Sequence, residues 1–213
     1  MNNEDAMQKK GVHFSLLRSY HVADLITLAN ACAGTASILA MMSYLVSPDS
    51  WRVYVALGLL PLAFVCDYAD GLVARWRYES SVFGRELDSL ADIVSFGVAP
   101  VTLAYGLGMR GGLDAIILVF FVSCGISRLA RFNITAAQLA DDKGKVQYFE
   151  GAPIPSSIVL ILVLAVCLYT GRVGDSLPLG VIEVASFEWH PLSLLYFVTG
   201  CAMVSKTLRI PKL

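Results

Sequence analysis

The stretch Cys66–Asp92, CDYADGLVARWRYESSVFGRELDSLAD, decides how this chain is read. It carries Asp67, Asp70, Asp88 and Asp92, with Gly71, Ala74, Arg75 and Gly84 between them, in segments that otherwise read as membrane-spanning helix. A carboxylate at the centre of a bilayer helix costs about 2.5–3.5 kcal/mol on insertion scales, so such a cluster marks a functional site. Asp67 and Asp70 are three apart and Asp88 and Asp92 four apart, spacings that put each pair on one helix face. The short polar link RWRYESSVF lets the two helices run antiparallel, so the pairs can face each other. A donor set made only of oxygen suits one or two hard cations, Mg2+ or Mn2+, bridging phosphate oxygens, and does not suit zinc. The small residues Gly71, Ala74 and Gly84 let a bulky phosphate ligand approach the backbone. Arg75 either grips a phosphate as a charged fork or snorkels to the interface.

Outward from this stretch, the 213 residues are 56% hydrophobic and carry a net charge of −1, with mean hydropathy +0.65. These values exclude a nucleic-acid partner and point to an all-α, polytopic integral membrane protein bathed in membrane lipids. A span needs about 20 mostly apolar residues. Six transmembrane helices are predicted, near 23–46, 51–75, 86–109, 113–136, 154–171 and 189–206, joined by short loops. HFSLLRSYHVAD before the first reads either as an interfacial amphipathic helix or as a plain leader. No repeat or boundary divides residues 1–213, so a single membrane domain is expected, with 1–22 as its cytoplasmic or interfacial N-terminal segment. The first ten residues are polar and contain acids, unlike a signal peptide. The five scattered cysteines read as buried apolar residues.

With six spans both termini share one side. That side takes every Lys and Arg except Arg52, Arg110 and Arg172. The positive-inside rule then places the termini and the Asp67–Asp92 segment at the cytoplasmic face.

The segment matches D-x2-D-G-x2-A-R-x8-G-x3-D-x3-D at every fixed position, and in this it resembles the CDP-alcohol phosphatidyltransferases. The resemblance implies a six-helix membrane enzyme that moves a phosphatidyl group from a CDP-linked lipid to an alcohol and releases CMP. It implies that Asp67, Asp70 and Asp88 bind the metals, that Asp92 lies near them and acts as catalytic base, and that Gly71, Ala74, Arg75 and Gly84 contact the CDP group. It also implies a homodimer. GRELDSLADIVSFGVAP, SRLARFN, YFEGAPIP and ADLITLANACAG are further similar to the phosphatidylserine synthases of the small integral-membrane type, which implies CDP-diacylglycerol as donor and L-serine as acceptor.

Serine needs a cation for its carboxylate. Arg128 and Arg131, three apart and beside Asn133, can supply a bidentate fork. They serve the phosphate of glycerol 3-phosphate or inositol phosphate equally well, or act as positive-inside anchors. Thr27 and Asn30, three apart on the first helix, either face the nucleotide or serve helix packing. Tyr148–Pro155 is expected as a rigid turn into the fifth helix, either over the active site or clear of it. The tails of the donor are not encoded here, and CDP-archaeol is an alternative. An ion-coupled transporter is the competing class; acids grouped at one face, with no inverted repeat, disfavour it.

Overall fold

The computed structural model describes residues 21–77, 81–135, 148–184 and 187–211. Helices α1 (Val22–Val46) and α2 (Ser50–Arg77) form an antiparallel hairpin and pack along most of their length. Helix α3 (Val82–Asp92) runs through a π-helical turn, Ile93–Val98, into α4 (Ala99–Leu107), and α5 (Gly112–Thr135) returns. Helix α6 (Ile158–Tyr169) is led in by a 3-10 turn at Ile154–Ser157, and α7 (Leu194–Val204) by one at Pro191–Ser193. Two antiparallel ribbons of three-residue strands complete the described residues. They pair β1 (Tyr148–Glu150) with β4 (Arg209–Pro211), and β2 (Ile182–Val184) with β3 (Phe187–Trp189).

The chain is thus a predominantly helical, polytopic membrane protein. Four helical stretches are long and apolar enough to cross a membrane: Val22–Val46, Ser50–Arg77, Val82–Leu107 and Gly112–Thr135. The last two expected spans are present as shorter apolar helices, Ile154–Tyr169 and Pro191–Val204. Gly171, in the left-handed region at φ 70°, stops α6 in the way a glycine ends many helices. The connection from α6 to α7, expected as a loop, contains the β2–β3 ribbon. Ile182-Glu183-Val184 and Phe187-Glu188-Trp189 alternate apolar and acidic residues at period two, the strand pattern. The amphipathic segment before α1 lies outside the described residues, except for His21–Asp24. There the His21 N–H donates to Asp24 Oδ2 at 2.8 Å and fixes the start of α1.

Lipid tails are as apolar as leucine, so helices in a bilayer associate by close packing and hydrogen bonds. Both are visible at α1. Ser37 Oγ donates to the Ala56 carbonyl of α2 at 2.7 Å, and Ser95 Oγ of the π turn donates to the Asn30 carbonyl at 3.0 Å. Gly34 sits where a Cβ would run into Ser95 Oγ and come within 2.8 Å of Ser95 Cα. The core beyond is built on Met41, Leu60, Phe96, Leu103, Leu164 and Tyr196. The buried Tyr196 hydroxyl donates to the Pro100 carbonyl at 3.1 Å.

The π turn follows Asp92 directly. Pro100 lacks the N–H that an unbroken helix would give to the Phe96 carbonyl, and the wider turn accommodates this. Its effect is to bury Ser95, Phe96, Gly97, Ala99 and Pro100 nearly in sequence. The acidic face of α3 and the apolar face of α4 therefore both turn inward. Overpacking at the α1 crossing should cost about 1–3 kcal/mol. Gly34→Ala should accordingly lower the unfolding temperature in detergent, whereas Gly58→Ala, with nothing within 4 Å of the added methyl, should not. Equal melting of both variants would show that the crossing is not tightly packed.

Candidate active site

The site is assembled at one end of the bundle, where the start of α1, the end of α2 and α3 converge. One oxygen from each of Asp67, Asp70 and Asp88 lies within 4.8 Å of the others. Asp92, one helical turn after Asp88, adjoins Asp67 through a side-chain contact. The carboxylates that the spacing puts on one face of each helix are therefore brought together. Asp70 and Asp92 are each only 6% exposed. Asp88 Oδ1 and Asp92 Oδ1 are buried and have no hydrogen-bond partner. Buried carboxylate oxygens left without donors are costly. Grouped oxygens of this kind fit a hard divalent cation, and the acidic cluster is able to bind one.

Helix α1 supplies a third wall. Thr27 Oγ1 donates to Asp70 Oδ2 at 2.6 Å while also lying 3.1 Å from the Ala23 carbonyl. Asn30, one turn further, is fully buried, and both polar atoms of its side chain lack partners. Thr27, Asp70, Gly71, Ala74, Gly84 and Asp88 line a single open cleft. At Gly84 an added Cβ would stand 2.9 Å from Asp24 Oδ1 and 3.1 Å from Ser81 Oγ. At Gly71 the nearest atom would be Arg75 Nη2, at 3.9 Å. The first glycine is thus needed for closeness within the protein, whereas the second leaves space on the cleft side. Arg75 is exposed and outside the cleft lining.

Five residues of the same cleft escaped the sequence reading of the site: His21, Ala23, Asp24, Ser81 and Arg85. Ser81 had a legible signal as the N-cap of α3, where its Oγ accepts from the Gly84 N–H at 2.8 Å. Asp24 is buried in the first turn of α1, a place where an acid is ordinarily only a cap.

The three acceptor candidates on α5 separate. Arg128 is 7% exposed, packs its guanidinium over the Phe132 ring at 5.4 Å, and lies within electrostatic reach of Asp88 and Asp92. Its Nε has no partner. Arg131 instead donates to the Val204 and Met203 carbonyls, at 3.1 and 3.4 Å, and so caps the C-terminal end of α7. Asn133 Nδ2 donates to Ser89 Oγ at 3.1 Å and to Glu86 Oε1 at 3.3 Å, which ties α5 to α3.

Residues 20–203 match the family model for CDP-alcohol phosphatidyltransferases. The chain belongs to that family. Within it, the chain is 45% identical to the CDP-diacylglycerol–serine O-phosphatidyltransferase of Saccharomyces cerevisiae over 203 residues, 94% of this chain and 74% of the yeast protein. It is 28% identical to the enzyme of the same name from Methanocaldococcus jannaschii, over 93% of this chain and 89% of that one. Archaetidylserine synthase of Methanothermobacter thermautotrophicus is 37% identical over 141 residues, 65% of this chain and 54% of the other. This phosphatidyltransferase fold draws its clustered acids from two helices, α2 and α3, so losing one should weaken cation binding without unfolding the bundle. Asp70→Ala should abolish the spectral change of Mn2+ on binding, read by electron paramagnetic resonance. Asp175→Ala, in the connection between α6 and α7, should leave it intact.

Proposed function

We propose that this chain transfers the phosphatidyl group of CDP-diacylglycerol to the hydroxyl of L-serine, giving phosphatidylserine and CMP, as a single catalytic domain. The observation that carries the serine assignment is the 45% identity to the yeast serine enzyme across 94% of the chain. The assembled carboxylates supply the site that such a transfer needs.

Asp67, Asp70, Asp88 and Asp92 would hold Mg2+ or Mn2+, two ions on this proposal. Bound there, the ions would supply charge neutralisation for the pyrophosphate and for the departing CMP. Thr27 keeps Asp70 turned into the cleft through its 2.6 Å hydrogen bond. Gly71 and Ala74 leave the cleft wall free for the CDP group, and Gly84 lets that wall close on Asp24 and Ser81. The unpartnered Asn30 amide lies one turn beyond Thr27, and Arg75, outside the cleft lining, would have to turn inward to reach a phosphate. Asp92 takes the proton of the serine hydroxyl as the serine oxygen bonds to the lipid phosphorus. The phosphoanhydride bond to CMP breaks, and its electron pair leaves with CMP. Arg128, beside Asp88 and Asp92, takes the serine carboxylate and so brings the hydroxyl to the base. Arg131 and Asn133 hold the pocket walls by fixing α5 to α7 and α3. The basic residues gathered at this end of the chain support a cytoplasmic orientation for the site and both termini. A homodimer is the assembly that family resemblance suggests.

The decisive experiment supplies purified protein with CDP-diacylglycerol, Mn2+ or Mg2+, and one acceptor at a time, and measures CMP. Release is expected with serine and its loss with EDTA. Release with glycerol 3-phosphate or inositol phosphate alone would discard the serine assignment and keep the family chemistry. CDP-archaeol as a parallel donor tests the tails.

Two variants test the roles. Asp92→Asn should lower kcat by at least a hundredfold, the lower end for a lost general base, while CDP-lipid still binds. Loss of binding as well would leave Asp92 with the ligand role alone and remove it as the base. Arg128→Ala should raise KM for serine more than tenfold and KM for the CDP-lipid far less; equal increases would misplace the acceptor pocket.

A further inference from the structure

A second cavity, of about 420 Å³, opens at the other end of the bundle. Tyr44 of α1 lines it, twenty residues along the helix from Asp24 of the carboxylate cleft. At about 1.5 Å per residue the two sites are about 30 Å apart, so the cavity is no extension of the active site. Its volume falls within the range of about 300–1,000 Å³ typical of ligand pockets.

The cavity is built by close backbone approaches. Gly108, at φ 137°, ends α4 and lies against Gly174, whose Cα would stand 2.6 Å from a Cβ there. Gly111 abuts the Glu188 carbonyl so closely that a Cβ would overlap it. These contacts fold the residues after α6 and the β2–β3 ribbon over the end of α4.

Four ionisable side chains line the space: Arg110, Asp175, Glu188 and His190. Arg110 donates through Nε to the Tyr105 carbonyl and through Nη2 to the Gly106 carbonyl, at 3.1 and 3.0 Å. Its Nη1 has no hydrogen bond among the described residues. Asp175 and Glu188 are exposed, and neither has an ion-pair partner among the described residues. His190 is 2% exposed and is held by Asp114, itself fully buried. Asp114 Oδ2 meets His190 Nδ1 at 2.6 Å and accepts from the Gly111 N–H at 3.2 Å, while Oδ1 accepts from the His190 N–H at 3.0 Å. An ionised carboxylate can only accept, so Nδ1 carries the proton. In the neutral ring Nε2 is then an acceptor. That nitrogen is buried and has no partner. His190, with its buried and unpartnered Nε2, thus lines the cavity beside two unpaired carboxylates and one guanidinium with a free nitrogen, a set that a ligand carrying both charges would satisfy.

We infer that this cavity binds an amine-bearing phosphate ester, its ammonium held by Asp175, Glu188 and His190 Nε2 and its phosphate by Arg110. Tyr44, Leu45 and Leu107 on the same wall offer apolar surface to the remainder of a lipid bearing that headgroup.

The test uses the full chain carrying Asp70→Ala, so that binding at the active site does not contribute. Dihexanoyl-phosphatidylethanolamine, dihexanoyl-phosphatidylglycerol and soluble phosphoethanolamine are titrated by calorimetry. Binding of the amine lipid at least tenfold tighter than the glycerol lipid is expected. Both Glu188→Gln and Arg110→Gln should weaken it tenfold or more. These two side chains are exposed, so the test does not depend on the buried His190 tolerating substitution. Tighter binding of the lipid than of phosphoethanolamine would assign a membrane lipid, and equal binding a free ester. Indifference to the amine, unchanged affinity in both variants, or no heat with any of the three probes would overturn the site.

Discussion

Mutual repulsion of like charge is the constraint around which the bundle is organised. Oxygens of three aspartates lie within 4.8 Å of one another. At an effective dielectric constant near 20, each ionised pair at that distance repels by about 3 kcal/mol. Nothing in the apolar core compensates for this, so the remedy is local. Thr27 offers a hydroxyl to Asp70, Arg128 places a buried guanidinium near Asp88 and Asp92, and a divalent cation would neutralise the rest. Each of these comes from a different helix or from solution. Helices α1, α2, α3 and α5 therefore meet at this end for electrostatic reasons as much as for packing.

The same constraint explains why close packing is concentrated on α1. Gly34 admits Ser95 of the π turn, and Ser95 in turn anchors to the Asn30 carbonyl. Moving the rod that carries Asp88 and Asp92 away from α1 would break that anchor and part Asp88 from the Asp70 that Thr27 holds. Arg131 and Asn133 do comparable work on the far side of α5. Their hydrogen bonds tie α5, the helix that carries Arg128, to α7 and α3.

Much of this was legible in the chain. The aspartate spacing encodes a shared helix face, and the short polar link encodes antiparallel partners, so Asp67, Asp70 and Asp88 could be brought together on paper. Gly71, Ala74 and Gly84 were legible as small residues at the same level. The separate fates of Arg128 and Arg131 were not, because three-residue spacing fixes a common face but not which neighbour that face meets. The π turn was hidden because hydropathy does not register one extra residue in a turn. Asp24 was hidden because an acid at a helix start has an ordinary explanation. The β2–β3 ribbon carried a period-two signal, but only three residues long on each side, too little to stand out in a connection rich in glycine.

The shortness of α6 and α7 has a consequence for the surrounding lipid. At about 1.5 Å per residue, Ile154–Tyr169 and Pro191–Val204 reach about 21–24 Å, against a hydrocarbon thickness of about 30 Å. For these helices to cross, the acyl chains beside them must compress, while those beside α1 and α2 need not. The protein would then carry a collar of uneven thickness, thinner beside these two helices. Such hydrophobic mismatch costs fractions of a kcal/mol per Å, enough to bias the chain toward thinner membranes and to make its immediate lipid neighbours differ from the bulk.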